Sequence, residues 1–383
     1  MITVKKKGVT FLLGDDSSQM TNRLGREFAL GFEQLGFSSR CVLASSIKSI
    51  ECLEREISNY DTTLFVSLSG QGMDMRPKDN AYEKLNASLF LMLLDHPLYN
   101  WDKVDIPAGL NAISTLSVAD QEFVDKYSTH KRRAFQLPHA ANPQLLQPWK
   151  NREMELFYCG TLRENPVTQR QNWSKYGKLI ESRLNAILEE HLARGGESLV
   201  ESIKRILVGT VNSNKPMVIH PYFVTLDLYL RDHHRVEALK SIKNAPLNLA
   251  GTGWETVLGE FKNSNICYLG AIHPKNVGLY YAKAKIVLNF MTTYHESHDR
   301  VFSAMADGSV VLTSTSKFYS QTFSADELIL YDQKEDNLEE ICQNLIFNDV
   351  RLREIAENGR QKFLSKHTWR HRAETTLREL DNL

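Results

Sequence analysis

Residues 289–314 read NFMTTYHESHDRVFSAMADGSVVLTS and crowd His295, Glu296, His298, Asp299 and Arg300 between two apolar runs. A guanidinium presents a planar fork of donors that suits phosphate. Imidazoles and carboxylates beside it can exchange protons or bind hydroxyl groups. Arg300 therefore either faces a phosphate or only pairs with Asp299 or Glu296 at the surface. A second cluster, Leu249-Ala250-Gly251-Thr252-Gly253-Trp254, puts glycines at a strand end, where backbone can approach a ligand closely. It lacks the GxGxxG spacing of a dinucleotide site. Trp254 either stacks on a base or belongs to the core. Asp95-His96-Pro97 follows an apolar run directly, and His139 stands in LPHAANP at 137–143. Either histidine is a functional acid or base or a structural residue. Gly160-Thr161-Leu162-Arg163 and Arg170 add two guanidiniums, of which one is expected to be only a surface charge.

Other chemistries lack their residues. The sequence contains no HExxH, GxSxG or GxxxxGK[ST]. The Asp-x-Asp dyad of many metal-dependent sugar transferases is also missing. His295 and His298, or His233 and His234, have no further ligands at metal-site spacing, so no metal is expected. Five scattered cysteines without CxxC spacing point to a reducing compartment. Lys plus Arg and Asp plus Glu both number 46, which gives no global pull toward nucleic acid or anionic membrane. No run of about 18 apolar residues could span a bilayer. The apolar run at 9–13 is too short for a signal segment, so a cytoplasmic location is expected.

Strands and helices must position these clusters. Apolar runs at 9–13, 63–68, 89–94, 112–116 and 134–137 predict strands, each separated by enough chain for a crossover helix. Leu24, Phe28, Phe32 and Leu35 predict the first helix. After a linker at 143–148, further strands are expected at 155–159, 247–250, 266–269, 286–290, 310–313 and 328–331. Helices are expected near 275–283, 299–307, 336–346 and 349–366, and a long helical region at 171–210. Such alternation predicts two doubly wound α/β domains, 1–150 and 151–383, facing a cleft. Ligands in these sheets bind past the carboxyl ends of the strands, where Gly14, Asp95, His139 and the loop before Arg300 fall. A helix opening near Arg300 would add N–H donors, and Gly308 would end it at positive φ.

The chain resembles the CgeB-like glycosyltransferases, relatives of the group 1 (GT4-like) enzymes. The matching pieces are LPHAANP at 137–143, FYCGTLR at 157–163, LAGTGW at 249–254, ICYLGAIHPKNVGLYYAKAKIVLNF at 266–290, HDRVFSAMADGSVVLTS at 298–314 and HTWRHRA at 367–373. The resemblance implies a GT-B fold of two Rossmann-like domains. It implies transfer of a sugar from a nucleotide-diphosphate donor to a protein, lipid or glycan acceptor, without metal or cofactor and with retention of configuration. Arg163, Arg170 and Arg300 would neutralise the diphosphate, with Gly160, Gly251, Gly253, Trp254, Glu296, His298, Val301, Phe302 and Ser303 around the nucleotide. His96 would touch the donor sugar, and Gly14, Asp95 and His139 would lie on the acceptor side. The last helix, near 369–380, would pack back toward the first domain. Where the group 1 pattern has the ribose-binding glutamate, this chain has Ser303. A sugar-nucleotide epimerase or phosphorylase and a non-catalytic nucleotide- or glycan-binding protein are the alternatives.

Overall fold

The computed structural model describes residues 7–47, 49, 51–55, 61–73, 87–106, 109–195, 198–209, 212–291 and 295–381. The chain divides into two compact units, Met1–Pro143 with Ser365–Leu383, and Gln144–Leu364. The first break thus falls after Pro143 rather than at 150, and residues 365–383 group with the first unit. Each unit holds a parallel six-stranded sheet among the described residues.

In unit 1 the strands are β1 (Gly8–Leu13), β2 (Ser38–Leu43), β3 (Thr62–Leu68), β4 (Ser88–Met92), β5 (Ala112–Thr115) and β6 (Arg133–Gln136). Their order is β2-β1-β3-β4-β5-β6. β1 is buried at every position because strands neighbour it on both edges and helices cover its faces. Helix α1 (Gln19–Glu33) buries Leu24, Phe28 and Phe32 against it. Helix α2 (Val118–Tyr127) opens on a Ser117 hydroxyl that accepts from Asp120 N–H.

Unit 2 carries β7 (Met154–Cys159), β8 (Leu247–Ala250), β9 (Ile266–Tyr268), β10 (Ala284–Asn289), β11 (Val310–Ser314) and β12 (Ile329–Tyr331), in the order β12-β11-β10-β7-β8-β9. Four helices fill the β7–β8 connection: α3 (Pro166–Gln171), α4 (Lys178–Arg194), α5 (Leu199–Leu207) and α6 (Pro216–Ser241). The rest are α7 (Val277–Tyr281), α8 (Asp299–Ala306), α9 (Lys317–Thr322), α10 (Leu338–Ile346) and α11 (Asp349–Lys366). The winding reverses between β7 and β10, so the carboxyl ends of these two strands flank the switch point where such sheets bind ligands. Helix α8 stops at Gly308, φ 75°, as its position predicts. The guanidiniums of Arg152 and Arg360 donate to the carbonyls of Asp307 and Ala306 at its end, complementing the helix dipole.

The final helix, α12 (Trp369–Asp381), packs within unit 1. Trp369 stacks on Phe28 with ring centres 4.9 Å apart, and its indole N–H donates to Glu27 Oε2 at 3.1 Å. Buried Arg372 donates to the carbonyls of Pro138 and His139 at 2.8 and 2.9 Å. Desolvation lowers its pKa to about 10.

Two elements depart from expectation. β2, SSRCVL, is a half-exposed edge strand too polar to register as an apolar run. The helical region does not end near 210: α6 adds 26 residues up to Ser241. Its apolar residues spread over much of its circumference, and Pro221 interrupts the pattern, so no clean stripe marks it. Residues 292–294 of the charged loop lie outside the described residues.

Candidate functional site

The site lies in unit 2, at the carboxyl ends of β7, β8 and β10. The chain leaves β7 through Gly160 to Arg163 and leaves β8 through Gly251 to Trp254. These two turns lie flat on each other, with Gly160 N–H donating to Ala250 O at 3.0 Å and Leu162 N–H to Thr252 O at 2.9 Å. Only glycine permits that approach. Gly251 has φ 121°, and a Cβ there would sit 2.0 Å from Gly160 O. Gly253 has φ 86°, and its Cβ would sit 1.9 Å from Leu162 O. Trp254 corrects one expectation. It is fully buried, edge-on to Tyr158, and donates from Nε1 to Gly160 O at 2.6 Å. It braces the turn from below and offers no face to a base.

Three guanidiniums converge above this floor. Arg300, 6% exposed, comes from the first turn of α8. Its Nη1 donates to Asn289 Oδ1 at 2.6 Å, and Asn289 is fixed in turn by Thr313 Oγ1 at 2.8 Å. The guanidinium lies over the Tyr158 ring at 5.0 Å, and its Nη2 is 3.2 Å from where a Cβ on Gly160 would stand. Arg163, with a 43% exposed side chain, reaches Asp232 Oδ1 at 3.6 Å. Arg235, on α6, donates to Thr161 O at 3.0 Å and lies 3.5 Å from the same carboxylate oxygen. Asp232 is fully buried, and the backbone N–H groups of Arg163 and Glu164 face it without closing to full hydrogen-bond geometry. Burial pushes its pKa up and pushes that of Arg235 down, with Arg300 and Arg163 adding to the latter. Arg163 and Arg235 share the Asp232 carboxylate, while Arg300 has Asp299 as its acidic neighbour, so three guanidiniums against two carboxylates leave a local excess of positive charge, which favours an anion.

His298 caps α8, with Nδ1 accepting from Arg300 N–H at 3.2 Å. Asp299 Oδ1 also approaches Nδ1, at 3.0 Å, which would require a proton on that nitrogen. Burial lowers the imidazole pKa despite Asp299, which favours the neutral ring. His295 Nε2 lies 3.3 Å from Asp227, a fully buried carboxylate on α6 that Arg231 also holds at 2.8 Å.

Several expected residues fall elsewhere. Arg170 donates to Asn185 Oδ1 at 2.8 Å and faces Glu189 at 3.7 Å, both on α4, away from the other arginines. The short α3 directs it toward that helix. Glu296 Oε2 accepts from Phe318 N–H at 2.5 Å, capping α9, so its carboxylate serves a helix end. Val301 and Phe302 are fully buried, because α8 turns its apolar face to the sheet, so their side chains are withdrawn from any ligand. Ser303 is 8% exposed on the same helix.

In unit 1, Gly14 closes against Gln71, whose Oε1 would lie 2.2 Å from an added Cβ. His96 Nδ1 accepts from Leu98 N–H at 3.1 Å, while Nε2 lies 3.5 Å from Asp120 Oδ1. The capping bond places the proton on Nε2, toward Asp120. Asp95 is half-buried beside it. His139 is buried, its carbonyl taken by Arg372.

Arg235 and Asp232 are not legible as site residues in the sequence because their helix carries no clear stripe. The run Arg231-Asp232-His233-His234-Arg235 is the signal in the sequence, but its paired histidines by themselves read only as a weak metal motif. Among the described residues, no three His, Cys, Asp or Glu side chains form a group able to hold a metal ion. No helix among them is long and apolar enough to cross a membrane.

The architecture is the GT-B fold of glycosyltransferases, with two Rossmann-like units. Solved structures that share it include a sucrose-phosphate synthase from Thermosynechococcus elongatus, at TM-score 0.58 and 11% identity over 97% of this chain and 98% of that one. Anabaena HepE in complex with UDP-glucose aligns at TM-score 0.55 and 10% identity, over 98% and 100%. AviGT4, a glycosyltransferase involved in avilamycin A biosynthesis, aligns at 0.53 and 11%, over 98% and 97%. Residues 231–378, less than half of the chain, match the family described as glycosyl transferase-like. No curated protein matches the sequence.

Proposed function

We propose that this protein is a GT-B glycosyltransferase that moves a sugar from a nucleotide-diphosphate donor to an acceptor. The observation that carries the reading is the convergence of Arg163, Arg235 and Arg300 on the β7–β10 switch point, above a floor of glycine turns. As the glycosidic bond breaks, negative charge builds on the leaving diphosphate, and preorganised guanidiniums stabilise that charge. Arg300 is held by Asn289 and Tyr158, so little reorganisation is needed. The start of α8 adds its dipole-positive end, although the N–H groups of Arg300 and Val301 are already taken by His298. These cations supply the charge that a metal supplies in other transferases, which supports a metal-independent reaction with no cofactor beyond the donor. HepE, with the same fold, was crystallised with UDP-glucose, which makes UDP-sugars the first donors to try. Retention of configuration rests on the group 1 resemblance, as does the GT4-like and CgeB-like assignment. A cytoplasmic site of action fits the free cysteines.

The test is release of nucleotide diphosphate from a panel of sugar nucleotides in EDTA. Turnover by the wild type and its loss in Arg300→Ala is the expected result, and a panel with neither binding nor turnover would sink the reading. Sugar products that point instead to epimerisation or phosphorolysis would move the protein to those GT-B chemistries. A non-catalytic binder is the second reading, favoured by Ser303 and by the engagement of Glu296 in a helix cap. It predicts nucleotide binding without release.

A further inference from the structure

Helix α6 has two chemically distinct faces. Asp227, Arg231, His234 and Arg235 lie on the side that serves the strand ends. Tyr229, His233, Val236, Glu237 and Lys240 fall on the opposite side, at spacings of four, three, one and three residues. The second set lines a separate, partly open cavity of about 500 Å³, bordered by α3, α4 and Glu260. That volume suits one or two sugar rings.

The lining chemistry selects among ligands. Tyr229 and His233 stack in parallel, 5.5 Å apart at 8°, and burial lowers the pKa of His233, so the imidazole is neutral at pH 7. Val236 adds an apolar floor. Arg170 is spread between Asn185 and Glu189, and Lys240 is paired with Glu260 at 2.6 Å. The half-buried Glu181 carboxylate and the exposed Gln171 amide line the same cavity, and among the described residues neither hydrogen-bonds another side chain. Three lining carboxylates outnumber the two cations, which disfavours an anion such as a phosphate. A carboxylate and an amide whose hydrogen-bonding atoms are not taken by other side chains, beside a neutral ring pair and an apolar floor, suit hydroxyl groups and the C–H face of a sugar.

We propose that this cavity is a saccharide-binding site, distinct from the anion site across α6. It takes a neutral sugar, gripped by Glu181 and Gln171 and seated on the Tyr229–His233–Val236 wall. The site does not depend on the transferase reading, since a glycan-binding protein could use it as well.

Saturation-transfer NMR with glucose, galactose, N-acetylglucosamine and maltose tests it, on the full chain with saturating pyrophosphate to occupy the arginine site. The expected result is a signal from at least one saccharide, kept in Arg300→Ala and weakened at least tenfold in Glu181→Ala and in Gln171→Ala. Circular dichroism and a thermal midpoint establish that each variant is folded, and Glu181→Gln, which keeps the shape, serves if Glu181→Ala does not fold. No signal from any of the four sugars overturns the proposal. So does a signal that pyrophosphate or Arg300→Ala abolishes, which would place the sugar at the arginine site. Binding of putrescine but of no saccharide would overturn it too, by showing the cavity to be an amine site.

Discussion

Arg300 is held in a conformation that suits both the proposed anion and the fold. Its Nη1 is tied to Asn289, its plane rests on Tyr158, and it emerges from the dipole-positive end of α8. Removing it should weaken nucleotide-diphosphate binding by about 2–3 kcal/mol, since a charge-assisted contact in a dry site is lost. Arg235→Ala should cost a similar amount in the same calorimetric titration, while Arg170→Ala should leave affinity unchanged, because its partners are Asn185 and Glu189. Equal losses for all three would mean that Arg170 belongs with the other arginines. His96→Ala should lower turnover and leave nucleotide affinity in place, because it belongs to the unit without these arginines. Residue types were the most legible part of the site: Arg163, Arg300 and the glycines stood out as phosphate-compatible before any geometry. Trp254 did not resolve, because an indole before a buried turn looks the same in sequence as one that stacks on a base. Only the 2.6 Å bond to Gly160 O separates the cases.

At the scale of elements, parallel strands announced themselves as apolar runs, since burial on both faces leaves no room for polar residues. The exposed edge strand β2 and the helix α6 did not, for lack of a run in one and of a stripe in the other. Without a legible α6, Asp232 and Arg235 have no marked place in the sequence. The glycine turns predict a local effect: Gly251→Ala forces a side chain into positive φ and against Gly160 O, so it should lower both the thermal midpoint and nucleotide affinity. The face of α6 toward the strand ends predicts a pH response. Burial, then neighbouring His233 and His191, lower the pKa of His234 to about 4, against about 6.5 in an unfolded chain. The unfolded state therefore takes up a proton that the fold refuses. Stability is whole above pH 6.5 and falls as the pH drops toward 4, by roughly 1–3 kcal/mol. His233 and His298 are lowered in the same sense. Thermal midpoints at pH 7.5 and 5.0 should show the drop, and His234→Gln should flatten it.

At the scale of the molecule, the alternation of strands and helices was enough to predict two doubly wound units. The membership of residues 365–383 in unit 1 is set by contacts far apart in sequence: Trp369 on Phe28, Arg372 on Pro138 and His139. Trp369→Ala should destabilise unit 1 by about 3–5 kcal/mol, through a cavity and a lost ring stack. Scanning calorimetry should then show a lowered transition for unit 1, while a nucleotide diphosphate raises the transition of unit 2 by mass action. The most direct measurement is calorimetric titration of UDP and UDP-glucose into the wild type and Arg300→Ala, both in EDTA. Saturable binding to the wild type that weakens at least tenfold in Arg300→Ala is the predicted result. No binding of these or of any other nucleotide diphosphate, or equal binding by both proteins, would contradict a sugar-nucleotide site built on the three arginines.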